Sequence, residues 1–303
     1  MIRPDFRFGR SIGILTLLAS GLDPTSSLAE TRAKVTSLQP TSPWNLNYAN
    51  DSCKIRRTFG AGKQLVYLEM ARFTIGPSFQ LGLAGSTLKP LLQGGKYSVR
   101  FGNLATQTAL SPISATNRDG QFVSLVNFGS LKATGLKAIA AEFADNQAPA
   151  SAVSADEEAA VTSITISNNK QVLILQTGSL GPVFAAWRKC VNEIVRSWGV
   201  DPDNIKTRAF PIGSPAGWVT SADYPLEALK ESMGGNVDFR LSIDASGKVT
   251  QCAVLRAINE TSFAKITCNL LTRRAHFTAA LDMTGKAVPD YFISAVRFVI
   301  PDQ

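Results

Sequence analysis

The chain has 303 residues, 45% of them apolar and 18% charged, which excludes global disorder and leaves material for real cores. At about 100–200 residues per domain, that length predicts two domains behind a targeting segment. The formal charge is +8; residues 1–29 hold one unit of it (Arg3, Arg7 and Arg10 against Asp5 and Asp23), and residues 220–303 carry nine basic and nine acidic side chains, so the surplus sits between Glu30 and Val219.

The three arginines precede an apolar run, Ser11–Leu22, far shorter than the roughly 20 residues that span a bilayer. Ser27-Leu28-Ala29 then supplies small residues before Glu30, so residues 1–29 read as a signal peptide; an uncleaved inner-membrane anchor is the alternative. Export suits the four cysteines, Cys53, Cys190, Cys252 and Cys268, which allow three pairings. Neighbourhood favours Cys252–Cys268 and, by default, Cys53–Cys190. A basic exported domain leans toward an anionic membrane surface or cell wall, and that compartment rarely offers nucleic acid.

Residues 30–43 are polar and aperiodic, and read as a flexible lead-in. From Trp44 the pattern is that of strands: Cys53–Phe59, Leu65–Met70, Ser78–Leu83, Tyr97–Phe101 and Gln121–Phe128, punctuated by Gly and Pro. Gln147–Ala160 is Ala/Ser-rich, with Asp156-Glu157-Glu158 as a solvated helix start, and Gln171–Gln176 is an apolar run. Leu180–Gly199 predicts a helix: Pro182 sits near its start, Phe184, Trp187, Val191, Ile194, Val195 and Trp198 recur at helical spacing, and Gly199 ends it. Trp187 and Trp198, eleven apart, read as core. Residues 44–200 therefore predict a strand-rich α+β domain, and 201–219, with Pro202, Pro211, Gly213, Pro215 and Gly217, a linker.

No catalytic constellation stands out. His276, the lone histidine, has no adjacent nucleophile. Ser86-x-x-Lys89 and Ser167-x-x-Lys170 lack the companions of serine acyltransferases. Gly60-Ala61-Gly62-Lys63 departs from a phosphate loop at Arg57 and Gln64. With few candidate ligands, no metal site, cofactor or enzymatic activity is expected.

In the last segment Tyr224-Pro225 leads into a short helix, Leu226–Leu229, ended by Gly234-Gly235. Asn236–Asp244 alternates, with Val237, Phe239, Leu241 and Ile243 on one face, and Ala245-Ser246-Gly247 turns it into Lys248–Arg256. Thr261-Ser262 can cap a helix over Phe263–Ala275 with Phe263, Ile266, Leu270 and Leu271 as its buried stripe. A Cys252–Cys268 bridge closes a loop of about 17 residues, worth on the order of 3 kcal/mol. Asp290–Ile300 is a long closing strand.

This helix–strand–strand–helix–strand order resembles the TonB C-terminal domain family over residues 220–301. The likeness rests on Tyr224-Pro225-x-x-Ala228, on Gly235-Asn236-Val237 with Ile243-Asp244-x-x-Gly247-Lys248-Val249, on Arg273-Arg274-Ala275-His276-Phe277-x-x-Ala280, and on Asp282-x-x-Gly285-Lys286-Ala287-Val288. The resemblance implies an α+β module with an antiparallel three-stranded sheet. It implies a protein partner, a peptide of an outer-membrane receptor, bound in the periplasm by β-strand pairing and linked to transmembrane transport. The last strand is then the pairing edge, with Tyr291, Ile293, Ala295, Arg297 and Val299 as partner-binding residues. Ala264 and Ala279 depart from the family's common Asp and Pro. Full energy transducers carry a histidine-bearing membrane helix and a long Pro-rich spacer, which this sequence does not match. A soluble periplasmic relative is expected, with a membrane-tethered energy transducer, or a cell-wall-binding protein with an accessory module, as alternatives.

Overall fold

The computed structural model describes residues 33–92, 97–108, 113–116, 122–128, 130–132, 153–258 and 261–300. The expected signal peptide, with its apolar run Ser11–Leu22, and residues 147–152 of the Ala/Ser-rich stretch lie outside the described residues.

The fold is α+β. In chain order the first part gives β1 (Lys34–Leu38), β2 (Asn45–Ala49), β3 (Ser52–Phe59), β4 (Val66–Arg72), β5 (Phe79–Ala84), α1 (Lys89–Leu92), β6 (Ser98–Phe101), β7 (Ile113–Thr116), β8 (Phe122–Phe128), α2 (Ala155–Ala160), β9 (Ser163–Ser167), β10 (Gln171–Gln176) and α3 (Gly181–Ser197). The order β2-β3-β4-β5-β8-β7 makes a six-stranded antiparallel sheet; β1-β10-β9-β6 makes a second sheet in which β1 runs parallel to β10. Period-two alternation turns Ile55, Phe59, Leu68, Met70 and Leu81 inward, and all are buried.

Helix α3 closes that core. Trp187 is fully buried, its Nε1–H donating to the Cys53 carbonyl at 2.8 Å, with Phe79 and Phe184 against its ring. Cys53 and Cys190 are bonded, so the helix is covalently fixed to β3. Two expectations change here. Of the expected lead-in 30–43, the described residues 33–43 are not loose, because Lys34–Leu38 pairs with β10 and Leu38 is buried; their order comes from a partner more than 130 positions away, which local pattern cannot reveal. The acidic run is not wholly solvated either. Ser154 and Glu157 form a reciprocal cap, and Glu158 turns inward, where it accepts from Arg188 at 2.7 Å.

The second part gives β11 (Ile205–Thr207), β12 (Phe210–Pro211), α4 (Leu226–Lys230), β13 (Gly235–Ile243), β14 (Val249–Ile258), α5 (Thr261–Arg274), β15 (Phe277–Thr278), β16 (Ala280–Asp282), β17 (Ala287–Val288) and β18 (Asp290–Phe298). The main sheet is antiparallel in the order β14-β13-β18, and α5 packs on one of its faces. Cys252 and Cys268 are bonded across that contact, with Cα atoms 5.5 Å apart. The stretch read as a linker is stitched down: β11 pairs with β16, β12 pairs with β15, and Trp218 is buried against Phe277 and Phe292. Strands of two or three residues leave no readable period.

The β13–β14 turn depends on Gly247. Its φ is +85°, and a Cβ there would stand 2.0 Å from the Phe277 carbonyl oxygen. Gly247→Ala is expected to cost at least about 2 kcal/mol from left-handed strain and the displaced backbone. A melting temperature unchanged within error would contradict this.

Candidate partner-binding edge

The motif residues build the frame on which the edge rests. The Asp244 carboxylate accepts from the Ser246 N–H at 2.8 Å, the Ser246 hydroxyl at 2.6 Å and the Lys248 N–H at 3.0 Å. Asp282 repeats the device with Thr284 and Lys286, and Gly285 takes φ +87°. Tyr224 donates its hydroxyl to the Met233 carbonyl at 2.7 Å and sets its ring edge-on to Phe263 and Phe298, while Pro225 precedes the first turn of α4. Phe277 is buried, Arg273 bonds back to the Asn269 carbonyl, and Arg274 grips Asp223 through two nitrogens at 2.7 and 3.0 Å. Most of these contacts lie within the module, but Phe277 also meets the Trp218 ring and pairs with Pro211, and Arg274 also donates to the Trp218 carbonyl at 3.2 Å. His276 is exposed, and its carbonyl accepts from the Ile212 N–H.

Asp223 also caps Thr220, and the Arg274 bonds, then the Thr220 N–H, hold its carboxyl well below the usual carboxylate range. Asp244 and Asp282 are lowered as well, chiefly by the hydroxyls of Ser246 and Thr284. Folded values below the unfolded value of about 3.9 mean that this stabilisation is complete above that pH and lost as pH falls through the folded values. The melting temperature should therefore drop below about pH 4, and less steeply in Asp223→Asn. Acid melts that stay flat would contradict it.

The sheet has two outer edges, and they differ. β14 carries two irregularities against β13, between the pairs Asp238–Arg256 and Phe239–Val254 and between Ser242–Gln251 and Ile243–Val249. Such bulges twist an edge and break its row of donors and acceptors. β18 instead pairs with β13 over nine residues in unbroken register, from Gly235–Phe298 to Ile243–Asp290. Among the described residues no strand pairs with its outer side.

In an antiparallel pair, one residue's N–H and C=O point to the same side. The Phe298 carbonyl faces the β13 side, 2.9 Å from where a Cβ on Gly234 would sit, whereas the Tyr291 carbonyl meets Arg208. The outward main-chain groups are thus those of Tyr291, Ile293, Ala295 and Arg297. Side chains divide the same way, with Phe292, Val296 and Phe298 facing the α5 core.

The five residues expected to meet a partner split into two groups. Ala295, Arg297 and Val299 are exposed. Tyr291 is not available: it is 2% exposed, its hydroxyl lies 2.9 Å from Thr74 Oγ1 and 3.2 Å from the Ile75 N–H, and the Trp198 ring meets it edge-on at 5.0 Å. Ile293 is half-buried against the same core. Trp198, read as core, is a half-buried contact between the two parts, with the Arg240 guanidinium 4.1 Å above its ring. Arg240 itself is buried and reaches Asp51 at 2.9 Å. Sequence reasoning missed Arg240, Asp51 and Arg208. Arg240 alternates out of phase with the apolar face of β13, which marks a solvent-facing position unless another domain covers it.

Among the described residues no helix is long and apolar enough to cross a membrane. Residues 220–300 match the family model of the Gram-negative bacterial TonB protein C-terminal, TonB_C, just over a quarter of the chain. No curated protein matches the chain.

Proposed function

We propose that this is a periplasmic interaction protein, exported by residues 1–29, whose TonB-type module captures an extended segment of an outer-membrane receptor and serves receptor-mediated transport. The segment adds as a further strand to the outer edge of β18, where main-chain hydrogen bonds supply affinity and side chains supply choice. The observation that carries this reading is the contrast between the edges: β18 is long and regular, β14 is interrupted twice. Residues 33–200, which include β1, are taken as the first part, held to the module through the paired connection 201–219, and no catalytic step is assigned to either part. The family match and the neutral charge of residues 220–303 favour a peptide over a polyanion as the module's partner.

The test is affinity capture by the full oxidised chain from a broad panel of peptides taken from the N-proximal segments of its host's outer-membrane receptors. At least one peptide should be retained. Retention of none across the panel would remove the proposal.

A further inference from the structure

The open edge is shorter than the strand that carries it. Arg208 and Ala209, in the connection between the two parts, lie along the first residues of β18. The Arg208 Nη2–H donates to the Tyr291 carbonyl at 3.1 Å, its Nε–H donates to the Asp290 carboxylate at 2.8 Å, and the Ala209 N–H donates to the same carboxylate oxygen at 2.8 Å. The first outward main-chain acceptor of the edge is therefore already occupied from within the molecule. Its side chain is occupied too, since the Tyr291 hydroxyl is held at Thr74 and Ile75 and the Arg208 guanidinium lies 4.5 Å over the ring. β11 and β12, on either side of Arg208, pair with β16 and β15 and hold the connection in place.

Displacing Arg208 would leave the Asp290 carboxylate, 2% exposed, without its cationic partner. Stripping a buried carboxylate of a charged donor costs more than one further neutral cross-strand pair returns. A visiting strand does not push the arginine aside. Among the described residues nothing caps the next outward positions, Ile293, Ala295 and Arg297, in this way, and Val299 beyond them is 61% exposed.

We infer that the connection is a stop for the partner strand: pairing is confined to Ile293–Val299, and abutment on Arg208 sets the partner's register. The inference rests on the edge-pairing function proposed above. It specifies the occupant as an extended peptide segment of about seven residues, roughly 24 Å long at strand rise.

All four cysteines are bonded, so Val299→Cys in the full chain presents a lone thiol just past the end of β18. Threonine-rich peptides with one terminal cysteine and three to eleven further residues serve as probes. They are equilibrated with this variant against glutathione, at a poise that spares both native disulfides. Stability of the mixed disulfide should rise roughly two- to threefold for each added cross-strand pair and level off at about seven paired residues. A continued rise through nine and eleven residues overturns the stop and leaves edge pairing intact. No dependence on length removes edge pairing, and the stop with it. In Arg208→Ala the plateau should move to longer peptides, and a plateau that stays in place overturns the role of Arg208. Should that variant fail to fold, the length series with Arg208 intact still decides.

Discussion

Replacing Ala295 with proline is expected to abolish partner capture, at least about tenfold in affinity, while the chain stays folded. The reasoning is directional. Ala295 shares the outward orientation of Tyr291, so its N–H is not part of the ladder to β13. Proline removes that donor from the open edge, and its ring projects where an incoming strand would lie; at an edge whose N–H faces solvent the native sheet tolerates it. Ser294→Pro is the contrasting control, because its N–H points toward β13 and its loss should damage the fold itself. Capture assays with circular dichroism on both variants check the pair. Full capture by a folded Ala295→Pro chain would mean that partners bind elsewhere.

The second large effect is on stability. Removing the bridge between Cys53 and Cys190 by Cys53→Ala with Cys190→Ala should destabilise the chain by about 5 kcal/mol, because the closed loop spans 137 positions in sequence. Domains commonly have about 5–15 kcal/mol in total, so α3 would sit near its melting point on the sheet. Removing Cys252 and Cys268 should cost less, on the order of 3 kcal/mol, since that loop is 16 positions long. Denaturant melts of the two variants check the order, and a larger loss from the shorter loop would contradict the chain-entropy argument.

Where a segment's neighbours decided its structure, the sequence was legible. The stripe of Phe263, Leu270 and Leu271 marked α5, and the spacing of Phe184, Trp187, Val191 and Ile194 marked α3. The repeated Asp-x-Ser/Thr-Gly-Lys at Asp244 and Asp282 encodes the same turn twice, because an aspartate at its head and a glycine three positions on suffice to satisfy it. Neighbourhood pointed to Cys252–Cys268, which left Cys53–Cys190 by default, and both bonds are present. What lay hidden depends on distant partners. β1 exists because β10 receives it, and β11 and β12 exist because β16 and β15 do.

The candidate edge was half legible for the same reason. Alternation along β18 sets Phe292, Val296 and Phe298 on the α5 face and Tyr291, Ile293, Ala295 and Arg297 on the other, and nothing local distinguished Tyr291 from Ala295 or Arg297. Burial of Tyr291 is decided by Thr74, Ile75 and Trp198, and occupation of its carbonyl by Arg208. Motif residues such as Tyr224, Gly247 and Phe277 announce the frame, because they fill its core and turns. The edge needs only regular backbone, which many side chains supply.

Amide hydrogen exchange on the full chain, with and without a captured receptor peptide, addresses the pairing claim most directly. The account predicts slowed exchange at the outward amides of Ile293, Ala295 and Arg297, with β14 and the six-stranded sheet unchanged. Slowing confined to β14 or to the first domain, with β18 as fast as before, would contradict it.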